Sequence, residues 1–178
     1  LCLSCAQIIE LAAREKPFRS LIDPDDAPFF NPGEMPGKIR AYCAATGQPQ
    51  PETVGQFARC IYESLALKYL DAIEVLERIK GERIAALHMV GGGIQNGLIN
   101  QMTADAIGRP VVTGPTEGAC AGNALMQAQA LGDIKNIHEA REVVRRSFPL
   151  GRWEPRESGA WRDAYARLIG YREAMRHD

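Results

Sequence analysis

Long apolar runs are missing: no uninterrupted stretch approaches the ~20 residues that a membrane-spanning helix needs. The first basic residue is Arg14, so the apolar opening also lacks the charged start of a signal peptide. Charge of one sign is lacking too. Lys and Arg number 21 against 22 Asp and Glu, a formal charge of -1 that gives no field favouring nucleic acid or an anionic membrane. The expected partner is a small molecule or a protein. The cysteines, Cys2, Cys5, Cys43, Cys60 and Cys120, lack regular spacing and sit in a chain too large to need a disulfide framework, which points to the cytoplasm. Cys2-x-x-Cys5 is half a zinc or redox motif, with neither a second CxxC nor a spaced histidine pair to complete it. Cys43 and Cys60 can meet across a helical hairpin and are read as reduced packing cysteines. Internal repeats and low-complexity segments are absent.

What is present is an ordinary globular composition. The chain has 178 residues, and at roughly 150 per domain this predicts one domain or a large piece of one. With 46% apolar and 24% charged residues it can bury a core, which excludes disorder and fibres. It opens at Leu1 without a starting methionine, which predicts excision from a longer chain.

Ile8, Ile9, Leu11 and Ala12 mark an amphipathic helix over 5 to 16, stopped by Pro17. Leu21-Ile22 reads as a short strand, followed by a turn-rich loop from Asp23 to Gly33. A helix over about 34 to 45 carries Pro36-Gly37 near its start and ends at Gly47. Thr53 and Gln56 form a capping box. After it Val54, Phe57, Ala58, Ile61, Leu65, Ala72, Leu76 and Ile79 recur at helical steps up to Gly81, predicting one helix of about 27 residues with a core-facing stripe.

Ile84 to Val90 then reads as a buried strand ending in Gly91-Gly92-Gly93, and a helix runs on to Gly108. The pair repeats: a strand over 110 to 113, then a helix from Glu117 to Leu131 closed by Gly132. Asn136 with Glu139 caps a further helix, a loop holds Pro149, Gly151 and Pro155, and a last helix spans Ser158 to about Met175. The fold class is α/β, helix-rich with few strands. Since sheets of this class usually have four or more strands, part of the sheet is either unrecognised here or outside this chain.

Gly91-Gly92-Gly93-Ile94-Gln95-Asn96 lies between a strand and a helix, where glycines admit a ligand to the backbone and the helix start offers unpaired N–H groups. That is where nucleotides bind, although a glycine cluster can also be a mere turn. Asn96 replaces the third glycine of the dinucleotide fingerprint and no acidic residue closes a second strand, which disfavours a Rossmann dehydrogenase; the Gly-Lys-Ser/Thr of a Walker loop is missing. Thr113 to Gly118 ends the second strand, so both loops should line one cleft.

Glu117 is an acid or base candidate, better read as a charge on a helix's first turn. Gly118, Ala119, Ala121, Gly122 and Ala124 form a small-residue face suited to close helix packing or close ligand approach. His88 reads as a core histidine, His138 as a first-turn residue and His177 as part of the tail, so no triad is assembled. Asp25, Asp26 and Asp105 read as a turn cap and a surface charge rather than magnesium ligands, and Arg145, Arg146 and Arg152 as a solvated face rather than a phosphate site.

The segments Leu87 to Asn96, Leu98 to Gly108, Gly114 to Gly118 and Gly122-Asn123 resemble the C-terminal half of the FGGY family of carbohydrate kinases. Asp23 to Asp26, Phe30-Asn31-Pro32 and Ala58 to Ala66 resemble the branch acting on L-rhamnulose. The resemblance covers nearly the whole chain and implies a partial actin-like, ribonuclease H-like domain over 1 to 178. It implies transfer of the γ-phosphoryl group of ATP, with magnesium, to the 1-hydroxyl of L-rhamnulose. The nucleotide's adenosine end would meet Gly92 and Asn96, with Gly91 and Gly93 shaping the loop.

The family's N-terminal domain, phosphate-binding hairpins, general-base aspartate and most sugar contacts would lie upstream of Leu1. The segment alone is therefore expected to lack any catalytic residue or metal ligand, to bind ATP weakly and to be inactive. Two alternatives stand beside this reading: another FGGY sugar kinase of fuculose or xylulose type, and a non-catalytic module that associates through the long helix.

Overall fold

The computed structural model describes residues 3–176. Cys2 and His177 lie outside them, so the Cys2-x-x-Cys5 motif and the tail histidine have no structural counterpart here. Helix α1 (Cys5–Arg14) starts at a complete capping box: Ser4 Oγ accepts from the Gln7 N–H, and Gln7 returns the bond to the Ser4 N–H at 2.8 Å. Helix α2 (Met35–Ala45) carries Pro36 in its first turn, where the missing N–H would have had no helical partner anyway. Helix α3 (Val54–Lys80) has the 27 residues that periodicity predicts and closes at Gly81 in the left-handed conformation. Thr53 caps it, while the Gln56 side chain turns to the Glu52 N–H instead of completing the box.

The predicted α3 stripe is only partly a core face. Ala58 is buried, but the heart of the packing runs through Ala66, Leu67, Leu70 and Ile73, whereas Leu76 is 52% and Ile79 78% exposed. The last two turns are met through polar contacts, Arg162 with Glu74 and Arg109 with Glu77. α3 packs mainly on α1 and on α4 (Gly97–Ile107). Beneath α1, the buried Glu63 accepts from Arg59 at 2.6 Å and from the Phe18 N–H at 2.8 Å; burial raises its carboxyl despite the guanidinium beside it.

The Leu21-Ile22 segment is buried but pairs with no strand. Side chains satisfy its backbone instead. Gln48 accepts from the Leu21 N–H and donates to the Leu21 carbonyl, each at 2.8 Å, and Ser64 Oγ accepts from the Ile22 N–H at 2.9 Å. The apolar run therefore marks burial rather than a ladder.

The sheet is short. β1 (Leu87–Met89) runs parallel to β2 (Val111–Thr113), with Leu87 opposite Val111. β3 (Gly151–Trp153) lies antiparallel on the other side of β2, with Trp153 opposite Val111, giving the order β1-β2-β3. β3 falls where Pro149, Gly151 and Pro155 predict only loop. Its pairing is tertiary: a Cβ at Gly151 would sit 2.4 Å from Thr113 Oγ1, and the Gly151 N–H donates to that same oxygen at 3.1 Å. Leu70, Ile73, Ala104, Ile107 and Val111 join sheet and helices in one apolar cluster.

Helices α5 (Gly118–Leu131), α6 (Ile137–Ser147) and α7 (Gly159–Arg176) complete the described chain. α7 docks through Trp161, Ala164 and Leu168. α5 buries no residue, so the close packing predicted for its small face is realised only at Gly118, where a Cβ would lie 3.0 Å from Val90 Cβ. No described helix is long and apolar enough to cross a membrane.

Candidate functional site

The glycine loop is built by the ends of two parallel strands. Leaving β1, the chain turns at Gly91, whose φ of 93° is a conformation that side chains rarely adopt. Gly92–Gln95 forms a single 3-10 turn, and Asn96 caps α4, its Oδ1 accepting from the Leu98 N–H at 3.1 Å and the Ile99 N–H at 3.2 Å. The Gly91 N–H donates to the Pro115 carbonyl at 3.1 Å, and the Gly114 N–H to the Met89 carbonyl at 2.8 Å. The loops after β1 and β2 are thereby tied together at one edge of the sheet, as their strand order predicts.

The three glycines differ in what the fold demands of them. Gly91 is required by its backbone. Gly92 and Gly93 are exposed, have no positive φ, and a Cβ on either would meet nothing within 4 Å. Folding alone would accept a side chain at both. Bare backbone at that edge, beside the start of a helix, suits the close approach of a polar or phosphorylated ligand.

Sequence reasoning passed over two neighbours. Asn100, fully buried on α4, donates from Nδ2 to the Ile94 carbonyl at 2.7 Å. Tyr62 of α3 packs against the same buried cluster as Leu98; burial raises its phenol, and the Asn96 side chain against it works the other way. Neither belongs to the apolar stripe read from its helix, and the folded contact of α3 with α4 brings them to the loop.

The other candidates do not join this edge. Glu117 stands at the N-cap position of α5, exposed and without a cap bond from its side chain. His88 is exposed, contrary to the core reading, because strand alternation turns Leu87 and Met89 inward and His88 out. His138 is exposed on the first turn of α6. Asp25 pairs with Lys68, and Asp105 holds the Arg156 N–H and the Gln101 amide at 2.8 Å each. Arg145 and Arg146 both pair with Glu142, and Arg152 with Glu154, as a solvated face should.

Among the described residues no three His, Cys, Asp or Glu side chains come together to hold a metal. A groove of about 900 Å³ lies at the far end of α3 and includes none of the loop glycines. Some of its charges are paired, Arg109 with Glu77 at 2.9 Å and Arg162 with Glu74 at 2.8 Å.

A strand–glycine loop–helix unit repeated across a parallel pair, with ligand-accessible backbone at its carboxyl edge, is the architecture of a nucleotide-using α/β domain. Residues 2–131 match the FGGY family of carbohydrate kinases, C-terminal domain, and the chain belongs to that family. It is 46% identical over 162 residues to the rhamnulokinase of Bacteroides thetaiotaomicron, covering 91% of this chain and 33% of that protein. With the rhamnulokinase of Bacillus subtilis it shares 43% identity over 154 residues, 86% of this chain and 32% of that one.

The chain thus spans about a third of the length of the curated relatives it matches. In fold it is similar to xylulose kinase from Rhodospirillum rubrum (TM-score 0.68, 21% identity, 96% of this chain and 34% of that one). It is likewise similar to Plasmodium falciparum glycerol kinase solved with ADP (TM-score 0.67, 13% identity, 96% and 33%). The helix-rich α/β arrangement is accordingly part of the actin-like ATPase fold of these kinases.

Proposed function

We propose that this chain is the C-terminal, ATP-binding portion of a cytoplasmic sugar kinase that phosphorylates the 1-hydroxyl of L-rhamnulose. The observation that carries the nucleotide assignment is the pair Gly92 and Gly93, glycines for which the fold has no use and a ligand does. The acceptor assignment is supported by the name shared by relatives at 42–46% identity. The buried free thiols of Cys43 and Cys60 suit a reducing compartment.

In this reading Gly91 to Asn96 hold the adenosine end, and the γ-phosphate points away toward the remainder of the kinase. The acceptor O1 attacks the γ-phosphorus, the bond to the β-phosphate oxygen of ADP breaks, and the hydroxyl proton leaves to a base. No described residue near the loop is placed to be that base, so it is assigned to the portion outside this chain. Magnesium is assigned to the ATP phosphates and to that same portion, since no described ligand set fits it. Phosphoryl transfer depends on positioning and electrostatic stabilisation, so the 178 residues alone should not turn over.

The test is an ADP-release assay on the complete kinase with L-rhamnulose, L-fuculose and D-xylulose. The highest kcat/KM is expected with L-rhamnulose, and its product should carry phosphate on O1. A preference for another ketose would reassign the acceptor, and no ADP release with any of them would overturn the kinase reading.

A further inference from the structure

We infer that Asn100 is the positioning residue of the glycine loop, its buried amide clamping the Ile94 carbonyl so that the Gly92–Gln95 turn is held in shape for the nucleotide. The inference rests on reading that loop as the nucleotide site. Within the loop the backbone is tied by long bonds of a 3-10 turn, among them Ile94 N–H to Gly91 at 3.3 Å and Asn96 N–H to Gly93 at 3.2 Å. Gly92 and Gly93 contribute no side chain to packing and stand exposed. Among the described residues, the 2.7 Å bond from Asn100 Nδ2 is the side-chain tether from the turn into the protein interior. Its direction is unambiguous, because a carbonyl oxygen only accepts.

The chemistry of Asn100 argues for this role over simple packing. The residue is fully buried, and its Oδ1 has no partner among the described residues. An unpaired buried acceptor is a standing cost that a leucine of similar size would avoid. What leucine cannot supply is the N–H for Ile94. The amide sits one turn beyond Asn96, whose own side chain is committed to capping, so the two asparagines divide the work: Asn96 starts the helix and Asn100 fixes the loop that precedes it.

The test compares Asn100→Leu and Gly92→Phe with the parent in the complete kinase, reading melting temperature, kcat, and KM for ATP and for sugar. Since the adenosine end is remote from the transferred group, loss of the clamp removes binding that ground and transition states share. For Asn100→Leu the ATP KM should therefore rise about three- to tenfold while kcat and sugar KM stay within about twofold. A general loss of structure would move all of these together. Should Asn100→Leu not fold, Asn100→Ser, too short to reach Ile94, takes its place with the same readouts. An unchanged ATP KM in the Asn100 variant, with a raised one in Gly92→Phe, overturns the clamp and leaves the site standing. An unchanged ATP KM in both overturns the site itself.

Discussion

The indole of Trp153 lies 2.9 Å from the point where a Cβ on Gly97 would begin, so β3 and the first residue of α4 fit only because Gly97 has no side chain. Gly97→Ala should push the rigid, half-buried ring away and cost about 1–3 kcal/mol, the usual range for overpacking. Thermal melting checks this. Trp153→Leu in the Gly97→Ala background should recover part of the loss, and strictly additive effects would contradict the contact.

Gln48 stands in for a missing strand. Gln48→Leu keeps the volume but orphans both the N–H and the carbonyl of buried Leu21, and is expected to cost about 2 kcal/mol or more. Ser64→Ala, which orphans only the Ile22 N–H, should cost about half as much. Denaturant unfolding of the two variants orders them, and the reverse order would contradict the account.

Element ends were legible where side-chain chemistry caps them locally. Thr53 and Asn136 start helices, while Gly81, Gly108 and Gly132 end them with positive φ. What the sequence hid is tertiary. Gly151–Trp153 becomes a strand only because β2 offers an edge, and Leu21-Ile22 fails to become one because Gln48 and Ser64 reach it first. His88 lay in an apolar run whose period of two was too short to show which side faced out. At the site, the glycine loop and its edge were readable from strand order. Asn100 was not, since a buried polar residue at helical spacing is indistinguishable from a surface one until the helix is packed.

Asp71 joins α3 to α7, accepting from the Tyr165 hydroxyl at 2.9 Å and pairing with Lys68 and Arg172. Burial works against its charge, but the Tyr165 hydroxyl, Lys68 and Arg172 outweigh it and hold the carboxyl below its ordinary 3.8. A depressed carboxyl contributes stability above its unfolded value and loses it as pH falls through the folded one. Asp71→Asn should therefore melt earlier than the parent at neutral pH, with the gap closing below about pH 4. A gap that stays constant into acid would remove Asp71 from the acid response.

Cys43 and Cys60 are buried in one apolar cluster as free thiols, and the Cys43 thiol beside it together with burial pushes Cys60 well above its ordinary value. Cys5 and Cys120 are exposed. Under native conditions iodoacetamide should label Cys5 and Cys120 and spare Cys43 and Cys60 until the protein unfolds. Peptide mass spectrometry reads this directly, and early labelling of Cys60 would contradict the packing.

The central claim is that the backbone at Gly92 is bare for a nucleotide and not for the fold, and Gly92→Phe in the complete kinase tests it most directly. With nothing within 4 Å of its Cβ, the variant should melt within about one degree of the parent, as surface substitutions usually do. Its KM for ATP should rise about tenfold or more with little change in sugar KM. An unchanged ATP KM at unchanged stability would contradict the nucleotide site, because the ring would then stand where no ligand comes.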